Sequence, residues 1–278
     1  MGGCAGKEVR EMKMSIMERL IQKYNVNLVA CMELNFNWSK VNSSANLASW
    51  LHQEERETRS ITAHNTQEQD VVSSKHQPGG TGMICCSKFI QYARKASADP
   101  RGLGRWCSWQ FFCNTKHVSG IVVAHRTCRS KAKGLRTIYQ QQLRYIQAHN
   151  LKCSPVELFD RDLAKQIKEW RQSGERIVLV MEVNDHLLTS RFYQQLQKEQ
   201  MGLEEFTHKC WGPTPPYTHI SGSSPINGGY KSSEIEIVNL GMLTFAESPG
   251  DHRSFIIDIS TRSLFGEFRF KICRPVSR

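Results

Sequence analysis

Polar groups able to do chemistry recur in this sequence at the ends of apolar runs. Arg176-Ile-Val-Leu-Val-Met-Glu-Val-Asn-Asp185 carries five apolar residues without interruption and then delivers Glu182 and Asn184. An unbroken apolar run of this length is how a strand buried on both faces reads. Asn27-Leu-Val-Ala-Cys-Met-Glu33 repeats the pattern and stops on Glu33, residues 118–125 stop on His125, and Asp251-His252 stand just before the apolar run 255–259. In layered α/β folds ligands bind at strand ends, which makes these groups site candidates. Carboxylates can hold a magnesium ion, an imidazole can move a proton or face a phosphate, and an amide can bind a phosphate oxygen. The inventory suits hydrolysis of a phosphate ester. Each residue alone has a plainer reading: an Asn-Asp turn after the strand, Glu33 in a loop or helix cap, His125 as a packing residue.

Beyond His125 follow Arg126, Arg129, Lys131, Lys133 and Arg136. Such a run is usually a solvated face, but at a strand end that already carries polar groups it reads as a phosphate-contacting patch. The whole chain has the same sign. Thirty-seven Lys and Arg against 26 Asp and Glu leave +11 over 278 residues, which points to DNA or RNA as partner and disfavours a phosphatase for small phosphoesters. No stretch approaches the roughly 18–20 apolar residues of a membrane helix, and the first residues lack the apolar core of a secretory leader. The expectation is a soluble protein, nuclear or cytoplasmic, with its oligomeric state unspecified. Ten cysteines include no Cys-x-x-Cys pair, so they read as reduced thiols, several in the core. Pro78-Gly-Gly-Thr-Gly82 is not followed by Gly-Lys-Ser/Thr and reads as a turn.

The elements that must position these groups alternate along the chain. Helical periodicity predicts helices over 7–24, 42–56 (Leu47, Trp50, Leu51), 135–149, 155–172 (Pro155 at its start, Gly174 after its end) and 189–200. Strands are expected over 27–33, 83–86, 106–112, 118–125, 176–182, 240–245 and 255–259, with Asn114-Thr-Lys-His117 turning a hairpin. Residues 217–221 form a possible short strand inside the Pro/Gly-rich stretch 212–229. Interspersed elements without a repeat predict one α/β domain over 1–262, and the basic segment 263–278 is expected as an edge strand or a tail.

Five short motifs share one order. Cys31-Met-Glu33, Ala124-His125-Arg126, Met181-Glu182-Val183-Asn184, Ile226-Asn227-Gly228 and Gly250-Asp251-His252 together resemble the endonuclease/exonuclease/phosphatase superfamily, over roughly residues 10 to 260. Pancreatic-type DNases, apurinic endonucleases and the endonucleases of non-LTR retrotransposons belong to it. Pro78-Gly-Gly-Thr81, Gly104-Arg-Trp106 and Thr218-His-Ile-Ser-Gly222 are similar to a subgroup found beside reverse-transcriptase-like sequences, which implies a retroelement origin. The resemblance implies a DNase I-like four-layer sandwich, two sheets flanked by helices. It also implies Mg²⁺, or Mn²⁺, held by Glu33 with Asp251 as a second acid. Glu182 would orient or deprotonate the attacking water, Asn184 would bind the scissile phosphate, and His252 would contact that phosphate or act as base. His125 would support the transition-state charge, and Asn227 takes the place of the acid that orients the histidine.

The sequence departs from the family pattern at four places. Glu182 replaces Asp, and a displacement of about 1 Å can cost about 10²-fold in rate. Asn227 replaces Asp, and an amide is expected neither to stabilise a charged imidazole nor reliably to fix its tautomer; the comparable change in a protease triad costs about 10⁴-fold. Gly250 replaces Ser. The family's first strand, which carries an Asn beside the metal, is expected to be missing, because only six residues precede the first helix. The leading reading is therefore a Mg²⁺-dependent, endonuclease-like phosphodiesterase with weak or absent activity. A catalytically inactive nucleic-acid-binding domain is the first alternative, and a phosphomonoesterase or inositol-phosphate phosphatase the second.

Overall fold

The computed structural model describes residues 6–41, 46–51, 57–67, 75–112, 118–132, 134 and 137–266. The unbroken apolar runs become the middle of a six-stranded sheet. In chain order its strands are β4 (Ala93–Ala98), β5 (Trp106–Phe112), β6 (Val118–His125), β7 (Arg176–Glu182), β8 (Leu203–Glu205) and β9 (Asn227–Ser232). They lie in the spatial order β4-β5-β6-β7-β9-β8, with only β6 and β7 parallel. A parallel pair needs a long crossover, here supplied by α2 (Ile138–Ala148) and α3 (Pro155–Gln172). Helix α3 begins at Ser154, which accepts from the Glu157 backbone while the Glu157 carboxylate accepts from the Ser154 backbone, with Pro155 in the first turn.

Opposite this sheet lie two smaller ones. The first has the order β1-β3-β2, from β1 (Leu28–Met32), β2 (Thr58–Ala63) and β3 (Thr81–Cys86); the second pairs β10 (Ile237–Met242) with β11 (Phe255–Ile259). Cys107, Trp109, Phe111, Ile121, Val123 and Val178 of the large sheet pack against Met83, Cys85, Leu28, Ala30 and Ile259 of the small ones. Helix α1 (Lys7–Tyr24) covers the β1-β3-β2 sheet through Met14, Met17 and Ile21. Helices α3 and α4 (Arg191–Lys198) cover the large sheet through Phe159, Leu163, Ile167, Phe192 and Leu196. The result is a helix–sheet–sheet–helix sandwich, completed by the short helices α5 (Thr207–Trp211) and α6 (Thr261–Phe265). Among the described residues no helix is long and apolar enough to cross a membrane.

Several sequence expectations are corrected. The helix expected over 42–56 is a single 3₁₀ turn, Ala48–Trp50, with 42–45 and 52–56 outside the described residues. Its apolar spacing serves an aromatic cluster instead: Trp50 stacks on Trp38 at 4.7 Å and meets Phe36 edge-on at 4.8 Å. Residues 217–221 form no strand, only a bridge from His219 to His252. Residues 263–265 end helix α6, and 267–278 lie outside the described residues, as does the hairpin turn 113–117. Strand β9 is absent from the sequence expectations, because Asn-Gly-Gly reads as a turn. Its glycines are required by packing: a Cβ on Gly228 would stand 2.5 Å from Thr207 Oγ1 and 2.6 Å from Leu187.

Candidate active site

Sheet register does most of the gathering. His125 of β6 pairs with Glu182 of β7, and Glu182 pairs in turn with Asn227 of β9, so three adjacent strands deliver their polar residues in one row. Glu33 arrives from the opposite sheet, one residue past β1. It and Asn184 both adopt left-handed backbone conformations, φ 52° and 53°, which is uncommon for residues other than glycine. The Pro78-Gly-Gly turn fixes the chain behind Glu33. Leu34 N donates to Gly80 O and Asn35 N to Gly79 O, while Gly79 N donates to Asn35 Oδ1 at 2.6 Å; both glycines have φ near +87°.

At the centre, His125 Nε2 stands 3.4 Å from Glu33 Oε1 and 3.7 Å from Glu182 Oε2. One ligand atom from each of the three residues lies within 4.8 Å of the others. Two carboxylates facing a neutral imidazole nitrogen would be three converging lone pairs. Such a convergence favours a positive charge among them, as a divalent cation would supply. The two carboxylates are the oxygen donors that Mg²⁺ and Mn²⁺ take, so they fit the ion the resemblance implies, while the imidazole nitrogen is a softer donor than Mg²⁺ favours.

A second group flanks the first. His252 Nδ1 is 2.7 Å from Asn227 Oδ1, and His252 Nε2 is 3.8 Å from Glu182 Oε1. Buried Thr218 decides the tautomer. Its hydroxyl oxygen accepts from Ile226 N and Asn227 N, so its one proton goes to Asn227 Oδ1 at 3.1 Å. An amide oxygen held this way can only accept, which makes His252 Nδ1 the donor and leaves Nε2 with its lone pair toward Glu182. Thr218 thus supplies the orientation that an unsupported amide lacks. Burial holds the His252 pKa below the usual histidine value, against the pull of Glu182 and Asp251, which keeps the ring neutral at pH 7. Thr218 carries no signal of this role in the sequence beyond its place in the Thr-His-Ile-Ser-Gly motif.

The remaining candidates are placed less centrally. Asp251 is exposed and faces His219 Nε2 at 3.8 Å; it is not one of the three clustered groups. Asn184 Nδ2 donates to Arg126 O at 2.7 Å and lies 3.4 Å from His125 Nε2, so its amino group is engaged within the protein. Arg126 is not a phosphate contact. Its guanidinium is buried and spans Asp160 at 2.7 and 3.0 Å, because a charge at this depth needs a partner. Arg129 and Lys131 are exposed, while Lys133 and Arg136 lie outside the described residues.

No family model matches this chain, and no curated protein matches it either. Solved structures do match, at low identity. The human Nocturnin catalytic domain with bound sulfate superposes with a TM-score of 0.60 at 14% identity, covering 90% of this chain and 86% of that one. The Neisseria 3′ phosphatase NExo, a single-residue variant bound to product DNA hairpin, gives 0.59 at 11% identity and covers 89% and 94%. The chain has the DNase I-like fold of these structures. An AP endonuclease from Archaeoglobus fulgidus, at 0.57 and 11% identity with 89% and 94% covered, shares this fold.

Proposed function

We propose that this chain is a divalent-metal-dependent phosphodiesterase of the endonuclease type, acting on nucleic acid. The observation that carries the reading is the convergence of Glu33, His125 and Glu182 within 4.8 Å beside an oriented His252–Asn227 pair. The net charge of +11 and the exposed Arg129 and Lys131 favour a polyanionic substrate.

Glu33 and Glu182 would hold the ion, Mg²⁺ or Mn²⁺, with His125 beside them. When bound, it stabilises negative charge on a phosphate and eases deprotonation of water. His252 supplies a neutral Nε2 that takes a proton from the attacking water, with Glu182 beside it to stabilise the resulting imidazolium. Asn227 and Thr218 keep that nitrogen free. Two features hold the rate down: Glu182 is one methylene longer than the family's acid, and Asn227 offers the imidazolium no charge.

The test is hydrolysis of an abasic-site duplex, supercoiled plasmid and a 3′-phosphorylated oligonucleotide with Mg²⁺, Mn²⁺ or EDTA. Slow turnover is expected, dependent on metal and abolished by Glu33→Gln and by Glu182→Gln. DNA bound equally well with metal or EDTA and never cut would replace this reading with that of a binding module, recognisable by the steep salt dependence of its affinity. Turnover confined to a soluble phosphomonoester would point to a small-molecule phosphatase instead.

A further inference from the structure

Beside the base stands a second imidazole. His219 meets His252 edge-on, ring centroids 4.7 Å apart at 66°, where residues 219 and 252 form an isolated bridge. The backbone around it is tied on every side: Ile220 N donates to Asp251 O, Arg253 N to Thr218 O and Gly222 N to His219 O. The ring is tied too. Ser221 N donates to His219 Nδ1 at 3.1 Å, so that nitrogen presents its lone pair and the ring's proton sits on Nε2. That proton is not spent inside the protein. Asp251 Oδ2, the carboxylate facing it, lies at 3.8 Å, beyond hydrogen-bond reach, and the His219 side chain keeps 30% of its surface exposed. The site is short of such a donor. Asn184, the phosphate ligand of the resemblance, turns its amino group to Arg126 O at 2.7 Å and to His125 Nε2 at 3.4 Å. Flipping that amide would set its oxygen against the Arg126 carbonyl oxygen, which keeps the donor turned inward. Arg126 is held by Asp160, and His252 Nδ1 is given to Asn227.

We propose that His219 donates its Nε2–H to a non-bridging oxygen of the substrate's phosphate, the part that Asn184 does not take. The inference rests on the phosphodiesterase reading and adds a substrate-contacting residue to it. The two rings divide the work by tautomer. His252, unprotonated at Nε2, accepts the proton of the attacking water, which leaves it an imidazolium. His219, protonated at Nε2 alone, gives no proton away; its N–H stabilises the charge that builds on the phosphoryl oxygens. Each tautomer is set by its own hydrogen bonds, His252 through Asn227 and Thr218, His219 through Ser221. A donor fixed before the substrate arrives loses little freedom on binding it, and that makes the tied turn 219–222 useful.

Phosphate binding and turnover on the full chain test this separately. Inorganic phosphate titrated in the presence of Mg²⁺ should move the nitrogen-15 and proton signals of His219 Nε2–H. His219→Phe keeps an aromatic ring against His252 and removes the donor. It should weaken phosphate binding by roughly tenfold or more and lower kcat/KM by a similar factor. His219→Gln, with an amide nitrogen at a similar reach, should recover part of both losses, and His252 should stay protonated at Nδ1 in both variants. Unchanged phosphate affinity in His219→Phe overturns the proposal; so does loss of the His252 Nδ1 proton there, since the ring would then only prop its neighbour. Metal-dependent cleavage that survives His219→Phe undiminished removes this contact and leaves the phosphodiesterase reading standing. Phosphate held at His219 by a protein that cuts nothing upholds the contact and removes the hydrolysis.

Discussion

Two charged clusters, one buried and one partly exposed at Glu33, adjoin at the same end of the large sheet, and they are built on opposite plans. In one, Arg105 spans Asp99 at 2.6 and 2.8 Å and reaches Asp162 at 3.0 Å, while Arg126 spans Asp160. Every charge there has its opposite. In the other, Glu33 and Glu182 converge on the imidazole of His125, and among the described residues no Lys or Arg forms an ion pair with either carboxylate. The clusters are physically joined, since His125 N donates to Arg105 O and Asn184 holds Arg126 O. The paired cluster is a completed scaffold, and its rigidity lets the neighbouring one keep acids together that would otherwise move apart. Burial alone does not mark a site; burial with unbalanced charge does.

Substitutions separate the two. The largest effect is expected from Asp160→Ala, which strands the Arg126 guanidinium and should cost about 3–5 kcal/mol in urea unfolding, with metal affinity retained in the folded fraction. Glu182→Gln should do the reverse. Metal-free stability stays within about 1 kcal/mol, since a like charge is removed, while affinity in a Mn²⁺ titration falls by 10–100-fold or more. An equal loss of stability in both variants would erase the distinction.

A smaller effect is expected from Asn227→Asp. With the tautomer already set by Thr218, the acid adds only a hydrogen bond stronger by about 1 kcal/mol, or a gain in turnover of roughly fivefold. Nitrogen-15 NMR should find His252 protonated at Nδ1 in both proteins; Nε2 protonation in the parent would contradict the role given to Thr218. Smallest is Glu157→Gln at the start of α3, at about 0.5–1 kcal/mol. The Ser154 backbone and then Arg191 hold the Glu157 carboxyl down to about 2, below the ordinary 4.5. Because the folded pKa is the lower one, this stabilisation is present above about pH 4.5 and is lost as pH falls toward 2. Thermal midpoints of parent and variant should therefore converge over that window.

Strands β1, β5, β6, β7 and β11 were legible as apolar runs, and with them the positions of Glu33, His125 and Glu182 at strand ends. Strand β9 was not, because a strand of Asn-Gly-Gly-Tyr-Lys-Ser has weak propensity and exists through what packs on it. The basic run after His125 looked uniform, yet burial divides it. Arg126 turns inward to Asp160 while Arg129 stays in solvent, and only the position of α3 decides which is which.

By itself the sequence determined the layered class, the charge and the acids and histidines at strand ends, because apolar periodicity and local capping are written residue by residue. Tertiary structure alone decided that Glu33, His125 and Glu182 meet, that Asp251 stands apart, and that Thr218 sets the His252 tautomer. Those facts depend on strand register and on partners up to about 150 residues away in the chain. Distance and direction in space are properties of pairing, which no local pattern encodes.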